Sequence, residues 1–105
     1  MKIIGLNSEN FKQEVLQSPI PVVVDFFADW CGPCQAMGAI LKDFAASLDE
    51  KKLKLASLNI DLEQDLAREY AIASIPCLIL FKDGKEVDRS IGLVSRQGLE
   101  KFCQQ

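Results

Sequence analysis

Residues Pro21-Val22-Val23-Val24-Asp25-Phe26-Phe27-Ala28 form a near-continuous apolar run with three adjacent valines and a single charge. β-Branched residues in a run of this length make a strand, and a strand that is apolar on both faces must be covered on both. A chain built around it is therefore layered, with further elements above and below a central sheet. The 105 residues amount to one domain, expected to span positions 1–105. With 49% hydrophobic and 26% charged residues, the composition excludes a disordered or low-complexity chain.

Elements alternate along the sequence. Ser8 is a candidate cap for a short helix carrying Phe11, Val15 and Leu16, which stops at Ser18-Pro19. The apolar run leads into a tight turn at 29–34. A helix follows, in which Met37, Ile40, Leu41, Phe44, Ala45 and Leu48 share one stripe. Pro33 suits the first turn of that helix, where a missing N–H is harmless. Residues 53–60 read as a second buried strand, and Asp61 as the cap of a helix bearing Leu62, Leu66, Ala67 and Tyr70. Residues 77–81 make a third strand. Lys82-Asp83-Gly84-Lys85 contains the Asp-Gly hairpin signal, and 86–91 is the return strand. Ser95 opens a last helix with Leu99, Phe102 and Cys103 inward, and 2–5 is a candidate small strand. Helices alternating with strands predict a parallel portion, and the hairpin adds an antiparallel edge. The expected fold class is α/β, a three-layer sandwich with a central mixed sheet flanked by helices.

Twelve Lys and Arg stand against fifteen Asp and Glu, a net charge of −3 with no basic block, so neither nucleic acid nor an anionic membrane is an expected partner. The longest apolar runs, 20–24 and 77–81, are too short to span a bilayer, and Met1-Lys2-Ile3-Ile4-Gly5 lacks the hydrophobic stretch of a signal peptide. The expected location is the cytoplasm. Histidine is absent, which excludes a Ser-His-Asp triad, a Cys-His pair and every His-ligated metal or haem site. Proton transfer must fall to a carboxylate, a thiol, a lysine or Tyr70.

Four cysteines, at 31, 34, 77 and 103, are too few for a disulfide-stapled secreted scaffold. Cys31-Gly32-Pro33-Cys34 lies between the buried strand and the amphipathic helix. Its two-residue spacer lets the thiols close a small ring. The helix N-terminus stabilises a thiolate through unpaired N–H groups and the helix dipole, and the thiolate is the species that attacks a disulfide. Cys31 is expected to be exposed and Cys34, one turn in, shielded. The competing reading is half of a zinc site. That needs four ligands, whereas Cys77 and Cys103 are single and far apart. A redox pair without a metal is the favoured reading. Asp25 amid valines and phenylalanines is costly to ionise, and a raised pKa suits a proton relay near neutral pH; the alternative is a solvated carboxylate at a strand end. Pro76 follows Ile75 in either a trans or a cis peptide. Trp30 is either a packing residue or a contact for partners. Cys77 and Cys103 read as small buried hydrophobes, with regulation by oxidation the alternative for Cys77.

Ala28-Asp29-Trp30-Cys31-Gly32-Pro33-Cys34 resembles the active-site signature of the thioredoxin family. The resemblance runs through nearly the whole chain: Val23, Asp25 and Phe26, Leu58-Asn59-Ile60-Asp61, Ile75-Pro76, Phe81-Lys82-Asp83-Gly84 and Gly92 all fall where that family has similar residues. It implies a thioredoxin fold and a protein-disulfide reductase working by dithiol–disulfide exchange. Cys31 then resembles the nucleophile and Cys34 the resolving thiol, together forming the redox-active disulfide. Asp25 resembles the proton relay to Cys34. Gly32 and Pro33 make up the spacer, and Pro76 resembles a cis-proline packed against the disulfide. Trp30, Ile75 and Gly92 resemble the substrate-docking surface. The resemblance further implies a monomer without a bound cofactor, recharged by thioredoxin reductase and acting on disulfide-containing proteins.

The sequence departs from the family pattern at Phe27, Gln35, Gly38-Ala39, Ser57 and Cys77. These positions bear on pKa values, reduction potential and partner preference, not on the reaction type. The rival functions are an oxidase or isomerase on the same fold and a non-catalytic binding subunit.

Overall fold

A computed structural model describes residues 2–105; Met1, the first residue of the expected domain span and of the stretch weighed as a leader, lies outside them. The apolar run forms β2 (Val22–Phe27), the middle strand of five. On one side it pairs in parallel with β3 (Lys54–Asn59), beyond which lies β1 (Ile4–Gly5). On the other it pairs antiparallel with β4 (Cys77–Lys82), which continues into the edge strand β5 (Lys85–Ile91). The sheet is mixed, in the order β1-β3-β2-β4-β5, and the α/β expectation holds.

Alternation along β2 divides the core. Val22, Val24 and Phe26 face a cluster with Phe11, Val15, Ile79 and Phe81, completed by Leu66 and Tyr70 from the region of α2 (Gln64–Glu69). Val23 faces the opposite cluster, built on Met37, Leu41 and Phe44 of α1 (Gly32–Ala46) and Leu99 and Phe102 of α3 (Arg96–Cys103). Helices thus cover both faces. No helix among the described residues is long and apolar enough to cross a membrane.

Two turns behave as their chemistry requires. Asp83 and Gly84 both have positive φ, 53° and 76°, the mark of the two-residue hairpin that an Asp-Gly pair favours. Ser95 caps α3 by accepting a hydrogen bond from the N–H of Gly98 at 3.0 Å.

Two expected caps are wrong. The first helical segment is a π-helical turn, Lys12–Leu16, and Ser8 does not cap it. Asn7 organises the approach instead, its Oδ1 accepting from the N–H groups of Glu9 and Asn10 at 2.8 and 3.0 Å. Leu16 belongs to this segment, as expected, and is exposed. Asp61 does not cap α2. The N-cap position belongs to Glu63, whose side chain makes no capping bond. Leu62, expected within this helix, lies before it and is 76% exposed.

Candidate active site

The site lies where β2 ends and α1 begins. Cys31 occupies the N-cap of α1 in an extended conformation (φ −93°, ψ 110°), and its Sγ accepts the N–H of Cys34 at 3.2 Å. A sulfur therefore stands where a Ser or Asp oxygen normally caps a helix. Pro33 sits in the first turn, where its lack of an N–H leaves no acceptor unpaired. Gly32 and Pro33 are exposed and carry the chain between the two cysteines. Cys31 and Cys34 are joined by a disulfide, with Cα atoms 5.2 Å apart.

The expected exposure of Cys31 needs correcting. In this disulfide form it is 6% exposed, little more than Cys34 at 4%. The pair is enclosed by Ala28, with Phe27, Ile60 and Ile75 packed against it. Cys31 Sγ lies 3.9 Å from the Ile75 carbonyl oxygen. The Ile75–Pro76 peptide is cis, which decides between the two isomers left open by the sequence. Pro76 is buried and Ile75 half-buried. Gly92, at φ 95°, donates its N–H to the Pro76 carbonyl at 2.8 Å, which ties the end of β5 to the segment facing the disulfide. Ile75 thus reaches the cysteine pair from a distant part of the chain, with Pro76 next to it and Gly92 hydrogen-bonded to Pro76.

Trp30 is 72% exposed, so the packing alternative falls. Its indole Nε1 donates to Asp61 Oδ2 at 2.9 Å. Asp61 stands in a turn before α2, where Asn59 Oδ1 accepts its N–H at 2.9 Å, and its carboxylate is engaged by a residue 31 positions earlier. Asp61 is a member of the site that its sequence position concealed, because an aspartate before a helical pattern reads first as a cap.

Asp25 lies behind the disulfide, on the α1 face of β2, level with Ser57 of β3 and Leu78 of β4. It is 3% exposed, and its Oδ1 is buried without a hydrogen-bond partner. Burial lifts its pKa from 3.8 to about 7 because the charged form is desolvated. The solvated-carboxylate alternative is therefore excluded. A cleft of about 570 Å³ connects this carboxyl to the surface, lined by Asp25, Cys34, Gly38, Lys42 and Ser57 among others.

The remaining cysteines are free and distant from one another. Cys77 is buried in the α2-side cluster, and burial raises its thiol pKa. Cys103 packs against the α1–α3 cluster, and burial pushes its pKa up to about 11. They lie on opposite faces of the sheet, so the four sulfurs that the zinc reading requires are not brought together. Among the described residues, no group of three or more Cys, Asp or Glu could hold a metal ion.

A family model described as Thioredoxin matches residues 2–105. Among curated proteins, the chain is 42% identical over 95 residues to "Thioredoxin" of Rickettsia felis, covering 90% of each chain. It is 44% identical over 95 residues to "Thioredoxin 1" of Synechococcus elongatus, covering 90% of this chain and 88% of that one. It is 41% identical over 100 residues to "Thioredoxin" of Porphyra purpurea, covering 95% and 92%.

Proposed function

Because the chain belongs to the thioredoxin family and is a protein-disulfide oxidoreductase, we propose that it reduces protein disulfides through Cys31 as nucleophile, Cys34 as resolving thiol and Asp25 as proton acceptor. The observation that carries this reading is the capping geometry, with the Cys34 N–H aimed at Cys31 Sγ at the start of α1. That hydrogen bond and the helix dipole stabilise negative charge on Cys31, and they favour a thiolate there over one at Cys34.

The exchange runs in two steps. The Cys31 thiolate attacks one sulfur of a substrate disulfide, forms a mixed disulfide and releases the other sulfur as a thiolate. The Cys34 thiol then gives its proton to the Asp25 carboxylate, and the resulting thiolate attacks Cys31 Sγ. This closes the Cys31–Cys34 disulfide and releases the second substrate sulfur. Two electrons pass to the substrate, and thioredoxin reductase returns two to the protein. A carboxyl with a pKa of about 7 exchanges protons in either direction near neutral pH. Exposed Trp30, Ile75 packed against the disulfide, and Gly92 bonded to the Pro76 carbonyl support docking of an extended substrate segment. Gly32, Pro33 and Pro76 support the geometry of the pair.

In this reading the chain is a single domain over residues 1–105, monomeric and cytoplasmic, without a bound cofactor and without nucleic-acid or membrane partners. The test is a coupled assay of protein-disulfide reduction with candidate reductases, with the reduction potential measured on the same preparation. A potential near about −270 mV supports a reductase, and one above about −200 mV identifies an oxidase or isomerase instead.

A further inference from the structure

Cys34, Gly38 and Lys42 stand at i, i+4 and i+8 on α1, so they form a column along one face of that helix. All three line the cleft behind the disulfide, and Asp25 and Ser57 line it from the sheet. The column has an open middle, because a Cβ built on Gly38 meets nothing within 4 Å. At its inner end the buried Asp25 Oδ1 has no hydrogen-bond partner. At its outer end Lys42 is exposed, and none of the five ion pairs among the described residues includes it.

We propose that Lys42 is a positioning residue for the disulfide exchange: it is the cation of this cleft, and its flexible stem brings the ammonium toward Asp25 whenever that carboxylate is charged. The inference rests on the reading of Asp25 as the proton acceptor for Cys34. In the structure, desolvation alone accounts for the raised pKa of Asp25, and no cation offsets it. That is the condition of a protonated carboxyl, which has no need of a counter-charge. Ionisation leaves a buried charge with an orphaned oxygen, and an opposite charge entering the cleft favours that form. Lys42 then raises the fraction of Asp25 that is ready to accept the Cys34 proton at a given pH.

The other groups around Asp25 do not supply this charge. Ser57 is neutral and Asp29 is acidic. Gln35 is neutral, and its side-chain amide donates to the Asp29 carbonyl oxygen at 3.2 Å. Ile3, at the N-terminal edge of the cleft, is apolar. On β4, Leu78 opposite Asp25 is apolar, and Cys77 lies on the other face of the sheet. Asp29 is the one carboxylate lining the cleft that competes for Lys42, so Asp29→Asn serves as a control.

The experiment follows the Asp25 side-chain carboxyl by carbon-13 NMR through a pH titration of the oxidised protein. Lys42→Met should raise the midpoint by about half a unit, roughly a threefold loss of carboxylate on the acid side of the midpoint. Lys42→Arg should restore the wild-type midpoint, and Asp29→Asn should not raise it. An unmoved midpoint in Lys42→Met overturns the assignment, and so does a rise in Asp29→Asn. The pH profile of disulfide reduction is recorded on the same variants and on Asp25→Asn. An Asp25→Asn profile identical to wild type overturns the relay and the role of Lys42 together. A changed Asp25→Asn profile with an unmoved Lys42→Met carboxyl overturns the role of Lys42 alone.

Discussion

Replacing Asp25 with alanine should stabilise the fold while slowing the reaction. The carboxyl is 3% exposed, its Oδ1 has no partner, and burial lifts its pKa from 3.8 to about 7. The unfolded chain deprotonates near the ordinary value, whereas the folded chain resists. Below the unfolded pKa both states are protonated and the group costs nothing. Between 3.8 and about 7 the cost grows with pH, and above that it is constant. A shift of about three units at roughly 1.4 kcal/mol each sets a ceiling of about 4 kcal/mol. Losing the carboxyl's packing returns about 1 kcal/mol, which leaves a stabilisation of about 3 kcal/mol at about pH 8. The assay is denaturant unfolding of the oxidised wild type and of Asp25→Ala at several values between about pH 4 and pH 8. The difference should be near zero or slightly negative at the acid end and should rise through the window. A flat or shrinking difference would mean that Asp25 is solvated or well paired, and the physical basis of the relay would be gone.

Thiol-reagent titration should find one fast thiol in the reduced protein, Cys31, and two slow ones in the oxidised protein, because Cys77 is 1% exposed and Cys103 has its pKa pushed up to about 11. A fast thiol mapped to Cys77 in the oxidised protein would refute its burial and make it a candidate regulatory switch. Gly84→Ala should lower stability by about 1–3 kcal/mol in thermal melts, since φ is +76° and the added Cβ stands 2.6 Å from the Leu16 carbonyl oxygen; an unchanged melt would mean that the hairpin and the π-helical turn separate easily. Asp61→Asn should leave the melt within about half a kcal/mol, because its bond to Trp30 is exposed. The same variant should alter Trp30 fluorescence, and an identical spectrum would argue against the indole–carboxylate contact.

Where a feature is encoded by adjacent residues, the sequence shows it. Three valines in a row define the central strand, Asp83-Gly84 defines the hairpin, and Ser95 caps the last helix three residues before Gly98. The buried carboxylate was legible for the same reason, as one charge inside an apolar run. What sequence order hid was competition across the fold. Asp61 looks like a cap, but α2 starts only at Gln64, so Asp61 and Leu62 fall in the preceding turn and the Asp61 carboxylate meets the Trp30 indole instead. At the first helical turn Asn7 rather than Ser8 organises the chain, its side chain accepting from two backbone N–H groups. Cys31 was expected in solvent, but Ile75 and the cis Pro76 segment arrive over it from 44 residues away. The i, i+4, i+8 spacing of Cys34, Gly38 and Lys42 was readable, but the Asp25 carboxyl facing that column was not, since it depends on how α1 lies on β2.

Trapping a substrate on the Cys34→Ser variant tests the exchange mechanism most directly. This variant keeps the capped nucleophile but has no thiol to resolve the mixed disulfide. Mass spectrometry after incubation with a disulfide-containing protein should show a covalent adduct mapped to Cys31, and Cys31→Ser should show none. An adduct on Cys34 in Cys31→Ser, or multiple turnover by Cys34→Ser at the wild-type rate, would contradict the roles assigned to the two cysteines.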